Sequence, residues 1–335
     1  MTSEPLRIGV LGAARISKNA IVGPAHAAGA RLVAVAARDS SRAAAFAAEH
    51  GIERVVGSYA ELVADVEVEA IYNPLPNGLH APWNLAAIAA GKHVLSEKPF
   101  ASDALQAAQV RDAAIGTGLV VADGFHYRYH PVALRVLGIV TSGQIGEVRR
   151  VVTSMTTPPP PDWDPRWDWS MAGGALMDLG CYSIHAQRLI GTLLGGEPTV
   201  VNARAGERAG HQGVDEWLTA DLTFPSGASG TASCNMAGDA EDFSWTITGT
   251  LGKIHVPQFV VPSRDDRVIV RSASGERTEH LGLQPSYDFQ LQAFTAAVRE
   301  GAPMPTDVDD AVATMTMIDR CYGLAGLPLR ERVQR

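Results

Sequence analysis

Cysteine is scarce in this chain of 335 residues, which holds three: Cys181, Cys234 and Cys321. An odd number at wide spacing argues against a disulfide framework and against a zinc knuckle. His126 and His130 stand four apart, but Pro131 follows directly and breaks the helix such a pair would need, so no metal site is expected. Also lacking is any run of basic residues. The 28 Lys and Arg stand against 36 Asp and Glu, a net charge of −8, which argues against nucleic acid as a partner. No apolar run reaches membrane-spanning length, so no membrane partner is expected. The opening MTSEPLRIGV has no basic start followed by an apolar stretch, which makes the cytoplasm the expected compartment.

What the chain does have is an ordinary core-forming composition, with 46% hydrophobic and 19% charged residues, over a length that suits two domains. Residues 6–11 read as a buried parallel strand, followed by a glycine turn and a helix through about residue 26. Strands at 32–36, 69–73, 93–96 and 119–122 alternate with helices at 42–50, 82–90 and 104–115. Repeated β–α units of this kind give a parallel sheet covered on both faces. Near residue 125 the pattern changes. A helix at 132–141 precedes a strand at 146–157, another helix spans 174–190, and strands follow at 199–205, 216–224, 228–236, 243–249, 252–256 and 267–271. Helices at 286–299 and 307–323 close the chain. The expected organisation is a nucleotide-binding domain over 1–125 and an α+β domain over 126–335 for substrate and subunit contacts.

Two stretches of the first half bear on chemistry. The loop after the first strand, Gly12-Ala13-Ala14-Arg15-Ile16, opens a helix. That context is what a dinucleotide site requires, because free backbone N–H groups and the helix dipole meet a pyrophosphate there. The glycine fingerprint falls on Gly12, Ala14 and Ser17, of which only the first is glycine. The expected fold is therefore an α/β Rossmann domain with a doubly wound parallel sheet, joined to an α+β domain with a large, mostly antiparallel sheet. The second strand ends in Ala37-Arg38-Asp39-Ser40. A guanidinium holds a 2′-phosphate bidentately, so Arg38 favours NADP(H) over NAD(H), with Ser40 and Arg42 close by. Asp39 is the competing reading, as an acceptor for a ribose 2′-hydroxyl. In the second stretch, AGKHVLSEKPF at 90–100, Lys98 stands just past the carboxyl end of a strand, where open α/β sheets bind ligands.

That second stretch is similar to a signature of the glucose–fructose oxidoreductase / inositol dehydrogenase / MocA family. Five more segments carry the resemblance in order: RIGVLGAARIS (7–17), LPNGLH (75–80), GFHYRYHP (124–131), RWDWSMAGGALMDLGCY (166–182) and a late helix, SYDFQLQAF (286–294). The resemblance implies that Leu75, Asn77 and His80 line the nicotinamide side, that Glu97 bonds near the nicotinamide ribose, and that Lys98 reaches the substrate. His80 is equally readable as a cap on the helix near residue 82. An NAD-preferring relative carries its acidic residue where Ala37 stands. Arg166 and Asp168 align with the family's Arg-x-Asp, and Ala172 replaces its usual third glycine.

Asp178 and Tyr182 are four apart on an expected helix and so share a face. The tyrosine resembles the dihydrodiol and aldose dehydrogenase branch, where the inositol branch has histidine. A phenol, with pKa about 10, is a poor base at neutral pH, and a nearby ammonium favours its ionised form. Tyr182 is thus read as general acid/base, with Lys98 tuning it and binding the reacting oxygen, and with Asp178 orienting substrate hydroxyls or Lys98. Without the resemblance, this face reads as packing. Tyr127, Arg128 and His130, at the exit from the first domain, and Arg166 and Trp167 are the expected substrate contacts. The segment 156–170, with four consecutive prolines and Trp163, Trp167 and Trp169, reads as a stiff loop packed on its own domain, a lid over the substrate, or a dimer contact.

These residues point to an NADP-dependent oxidoreductase acting on a CH–OH or C=O carbon of a small polyhydroxylated molecule, a sugar or cyclic dihydrodiol. The alternatives are a non-catalytic NADP-binding sensor or scaffold, and a C=N or bilin-type reductase on the same fold. The second-domain sheet is the expected contact of a homodimer or tetramer.

Overall fold

The structure, a computed structural model, describes residues 4–333. In chain order the elements begin β1 (Arg7–Leu11), α1 (Gly23–Ala28), β2 (Arg31–Ala36), α2 (Ser40–His50), β3 (Arg54–Val55) and α3 (Tyr59–Ala64). They continue with β4 (Ala70–Asn73), α4 (His80–Ala89), β5 (His93–Ser96), α5 (Ala104–Ala114), β6 (Val121–Asp123) and α6 (Pro131–Thr141). Next come β7 (Val148–Thr156), α7 (Cys181–Gly191), β8 (Thr199–Glu207), β9 (Asp215–Thr223), β10 (Ser229–Asn235) and β11 (Trp245–Gly249). The last elements are β12 (Gly252–Val256), β13 (Arg267–Ser272), β14 (Gly275–His280), α8 (Ser286–Glu300) and α9 (Val308–Ala325).

The chain forms two compact units. One contains residues to 125, 287–313 and from 332 on; the other contains 126–286 and 314–331. A single division at residue 125 therefore does not describe the later chain, because most of α8 returns to the first unit. Long-range bonds hold it there. Arg299 pairs with Glu69 at 2.8 Å, and Thr306 exchanges two 2.8 Å bonds with the backbone of Asp123. Arg332 pairs with Asp103.

In the first unit the sheet order is β3-β2-β1-β4-β5-β6, and every pairing is parallel. The strands β1, β2 and β4 are almost wholly buried, which is why they read as continuous apolar runs. The chain winds outward in both directions from β1 and β4, and the crevice at that switch point is where such sheets take ligands.

In the second unit eight strands run β14-β13-β12-β11-β7-β10-β9-β8. All pairings are antiparallel except β7 with β10. Helix α7 packs on β7 and β10, and several of its polar side chains are bonded to that sheet or to nearby loops. Ser183 donates to the Ser233 carbonyl at 2.9 Å and Gln187 to that of Thr231 at 3.0 Å. Arg188 pairs with Glu197 at 2.7 Å. Gly180 permits this packing, because a Cβ there would lie 2.8 Å from the Cys234 sulfur. The segment 174–190 is not one uniform α-helix. Its first turn, Leu176–Gly180, is π-helical.

No helix among the described residues is long and apolar enough to cross a membrane. Cys181, Cys234 and Cys321 are all buried.

Candidate active site

The loops at the carboxyl ends of β1, β2, β4 and β5 converge within the first unit. Gly12 turns the chain out of β1 with φ +86°, and its N–H donates to the Ala36 carbonyl at 2.6 Å. A Cβ at Gly12 would stand 3.1 Å from Leu75, so the loops after β1 and β4 touch through this glycine. Beyond it Ala13 and Ala14 are half-buried, and Arg15 and Ile16 are exposed. The helix that follows starts with a π-helical turn, Lys18–Val22, before α1. Ser17 at its mouth is fully buried, and its hydroxyl has no protein partner.

At the end of β2 the two competing side chains take different roles. Asp39 is the N-cap of α2: it accepts from the N–H groups of Ser41 and Arg42 at 2.9 and 3.2 Å and from the Ser41 hydroxyl at 2.6 Å. The Ser41 hydroxyl and these N–H groups hold its carboxyl below the usual range. Arg38 projects into solvent, and Arg42 reaches back to the Ala13 carbonyl at 3.3 Å. Both guanidinium groups thus belong to the region beside the Gly12 loop. Tyr59, half-buried next to Gly12, has its phenol raised by burial, with Arg38 opposing.

The β4 and β5 loops rest on a buried polar frame. Asn73 donates to Asn84 at 2.8 Å and to the His80 carbonyl at 3.0 Å; Asn84 donates to Ser96 at 3.0 Å. His80 sits at the centre. Its Nε2 lies 2.6 Å from the Leu75 carbonyl and its Nδ1 2.7 Å from the Pro99 carbonyl. A neutral ring donates to only one of them. Burial opposes the charged form and pulls the imidazole down to about 4. His80 is 1% exposed and ties the loops of Leu75 and Lys98 together through these two carbonyls. It is not an N-cap, because no side-chain cap serves α4. Glu97, also buried, accepts from the Tyr72 phenol at 2.9 Å. Lys98 is half-buried directly after it, and Asn77 is half-buried in the preceding loop. Gly124 lets the end of β6 press on this turn, since a Cβ there would fall 2.8 Å from the Ser96 carbonyl and 3.1 Å from Glu97 Cα.

In the second unit, Tyr182 and Asp178 straddle the junction between the π-helical turn and α7. Asp178 lies 3.7 Å from Arg166, whose guanidinium is held by both Asp164 oxygens at 3.0 Å. The Tyr182 phenol lies 3.1 Å from Nε2 of His126, and Nδ1 of that ring lies 2.7 Å from the Ser286 hydroxyl. Neither His126 nor Ser286 carries a sequence mark for this role, and the His126/His130 spacing suggests only a metal pair, which Pro131 rules out. The Tyr182–His126 and His126–Ser286 separations along the chain, 56 and 160 residues, leave no local signal.

Three of the expected substrate contacts are buried and bonded within the second unit. Tyr127 is fully buried against Phe259 and Trp245, with its phenol 2.6 Å from His185 Nδ1. His130 is the buried N-cap of α6, accepting from the Val132 N–H at 3.1 Å. Nε2 is therefore the donor, toward the Gln284 carbonyl at 3.2 Å. Trp167 is 1% exposed, donates to the Pro160 carbonyl at 3.2 Å and lies under Arg208. Arg128 and Arg166 remain half-buried. The loop 156–170 packs on its own unit through Trp167 and Trp169, while Trp163 is exposed.

Residues 6–125 match the model of an oxidoreductase family with an NAD-binding Rossmann fold, and residues 134–255 match the GFO/IDH/MocA C-terminal domain. The chain is 34% identical to D-xylose 1-dehydrogenase (NADP(+)) 2 of Haloferax volcanii, over 95% of this chain and 96% of that one. It is also 34% identical to dTDP-3,4-didehydro-2,6-dideoxy-alpha-D-glucose 3-reductase of Streptomyces antibioticus, over 97% and 98%. Among solved structures, a 3-ketoreductase from Actinomadura kijaniata in complex with NADP and TDP-benzene superposes with a TM-score of 0.88 at 29% identity. The match covers 96% of this chain and 98% of that one.

Proposed function

As the chain belongs to the GFO/IDH/MocA family of NAD(P)-dependent oxidoreductases, we propose that it uses NADP(H) to interconvert a CH–OH and a C=O carbon of a sugar or related polyhydroxylated substrate. The observation that carries the cofactor reading is the division of labour after β2: Asp39 is committed to its helix, and Arg38 faces solvent beside the Gly12 loop. A guanidinium there suits a 2′-phosphate. The residues present fit the dinucleotide. Gly12 to Ile16 receive the pyrophosphate, Arg38 and Arg42 the phosphorylated ribose, and Leu75, Asn77 and Glu97 the nicotinamide end. When bound, the nicotinamide supplies or accepts the hydride.

The chain's own groups do the rest. Lys98 binds the reacting oxygen and stabilises charge on it. Tyr182 gives or takes the hydroxyl proton. Asp178, steadied by Arg166, accepts hydrogen bonds from neighbouring substrate hydroxyls, with Arg128 beside them as a further contact. Support for the Lys98 and Tyr182 roles comes from the A. kijaniata reductase, solved with one lysine replaced by Ala or Glu and one tyrosine by Phe. Those two positions are as far apart in sequence as Lys98 and Tyr182. The relatives' names, a pentose dehydrogenase and deoxysugar reductases, favour a sugar over a cyclic dihydrodiol. We further read the face of the second sheet opposite α7, with Val152, Ser154, Thr231, Ser233, Thr246 and Thr248, as a homodimer surface. Sedimentation of the intact protein tests this, and a monomer at micromolar concentration rejects it.

The decisive experiment is fluorescence titration with NADPH and NADH, followed by turnover assays with NADP+ plus D-xylose and other aldoses, and with NADPH plus 3-keto sugars. Preferential NADPH binding with turnover that falls about 100-fold or more in Tyr182→Phe and Lys98→Met supports the reading. NADPH binding without turnover on any of these points to a sensor or scaffold. Turnover unaffected by Tyr182→Phe removes the proposed acid/base.

A further inference from the structure

We propose that His126, anchored by Ser286, is the proton-relay partner of Tyr182. The inference rests on Tyr182 being the acid/base of the reaction. All three side chains are withdrawn from solvent, with exposures of 2% for His126, 3% for Ser286 and 4% for Tyr182. The His126 and Tyr182 rings meet edge to face, 5.8 Å between centroids at 73°. The phenol oxygen is 3.1 Å from Nε2, and the Ser286 hydroxyl is 2.7 Å from Nδ1. A serine oxygen accepts well from an imidazole N–H. With Nδ1–H donated to Ser286, Nε2 keeps a lone pair aimed at the Tyr182 hydroxyl. Behind this line, the Tyr127 ring lies edge-on to Tyr182, 6.1 Å between centroids, and its phenol bonds His185.

The arrangement addresses a problem of isolated tyrosine chemistry. A phenol with pKa about 10 is seldom ionised at neutral pH and so seldom ready to accept a proton. Passing its proton to an imidazole, whose ordinary pKa is about 6.5, lets it accept a second one at the same moment. In the oxidation direction the substrate's hydroxyl proton moves to the Tyr182 oxygen as the phenol's own proton moves to His126 Nε2. The carbon–hydrogen bond breaks, and its hydride leaves to the nicotinamide. The products are a carbonyl, neutral Tyr182 and a His126 imidazolium held through Nδ1–H by Ser286. When the carbonyl product departs, the imidazolium returns its proton to the Tyr182 oxygen as the phenol passes its own to the water that takes the product's place. Reduction runs the same transfers backwards. His126 acts through Tyr182 and is a positioning and relay residue.

The test is nitrogen-15 NMR of the histidine side chains in the intact chain without ligand, with His126 assigned by its loss in His126→Gln. The expected result is an Nδ1-protonated tautomer whose Nε2 resonance shifts in Tyr182→Phe; an Nε2-protonated ring, or no shift, overturns the relay. In turnover with NADP+ and D-xylose, His126→Gln is expected to lower kcat about 100-fold with little change in KM. In His126→Ala, added imidazole restores part of the rate. Should the His126 variants lose their folded circular dichroism, Ser286→Ala decides: a changed His126 tautomer supports the relay, and an unchanged one rejects it. Full turnover in Tyr182→Phe refutes the acid/base reading itself. Loss in Tyr182→Phe with full turnover in His126→Gln refutes only the relay. If D-xylose is not turned over, the NMR results decide alone.

Discussion

Arg330 and Asp215 form an ion pair in which neither side chain reaches solvent. The guanidinium also donates to the Gly173 and Gly213 carbonyls at 2.7 and 2.9 Å and stacks on Tyr322 and Trp169. Asp215 accepts in addition from the Tyr322 phenol at 3.0 Å and the Leu176 N–H at 2.6 Å. Burial raises the Asp215 carboxyl despite the cation beside it. The pair thereby fixes Gly173, Gly174 and the start of the helix that carries Asp178 and Tyr182. Removing one partner strands the other charge, so Arg330→Met is expected to lose about 3–5 kcal/mol in urea unfolding. Adding Asp215→Asn should recover part of that loss.

Arg38 and Asp39 should separate cleanly by mutation. Arg38→Ala is expected to weaken NADPH binding about 10- to 100-fold and to leave NADH unchanged. Asp39→Ala should lower the melting temperature by loss of the α2 cap, with the NADPH/NADH ratio preserved. A reversed ratio in Asp39→Ala would return Asp39 to the ribose.

The His80 imidazole predicts an acid limb of stability. Its ordinary value of 6.5 falls to about 4 in the folded protein, so the unfolded chain binds the extra proton first as pH drops. Stability from this group is complete above about 6.5 and lost progressively down to about 4, roughly 3 kcal/mol in all. Urea midpoints between pH 7 and 4 measure it. In His80→Asn the slope over that window should flatten. An unchanged slope would mean that another group supplies it.

Asp123 predicts the opposite sign. Burial pushes its carboxyl well above the ordinary range, with Asp310 adding to the effect. The folded protein holds that proton longer than the unfolded chain, so stability falls as pH rises past the carboxylate range. Asp123→Asn removes the titration while keeping an acceptor for the Gly124 N–H. The variant should exceed wild type in Tm at pH 8, and the gap should narrow as pH falls toward about 4.

Gly124→Ala is a steric test of the Lys98 turn. The new methyl meets backbone atoms of Ser96, Glu97 and Lys98, which cannot rotate away. Crowding of this kind costs about 1–3 kcal/mol. Reduced turnover with unchanged NADPH affinity would show that the turn, more than the cofactor loop, has moved.

The parallel sheet is legible because fully buried strands write themselves as apolar runs and each βα junction is marked by glycine or a cap. Lys98 and Arg38 are legible for the same reason: strand ends are places where ligands bind, whatever the remainder of the fold. The missed elements are weakly patterned. Strand β3 has two residues, both exposed, and β14, GERTEH, has no apolar member. Spacing alone does not reveal that the turns before α1 and α7 are π-helical. Nor does it distinguish an aromatic or histidine that meets substrate from one that fills a core, which is how Tyr127, His130 and Trp167 came to be expected at the site. His126 and Ser286 meet only through tertiary structure.

The return of residues 287–313 and Arg332 to the first unit bears on biosynthesis. A ribosome that has released residues 1–125 has supplied every strand of the parallel sheet but not Arg299, Thr306 and Arg332, which bond Glu69, Asp123 and Asp103. The first unit therefore completes these bonds only after translation has passed Arg332, and a fragment stopped at residue 125 lacks all three.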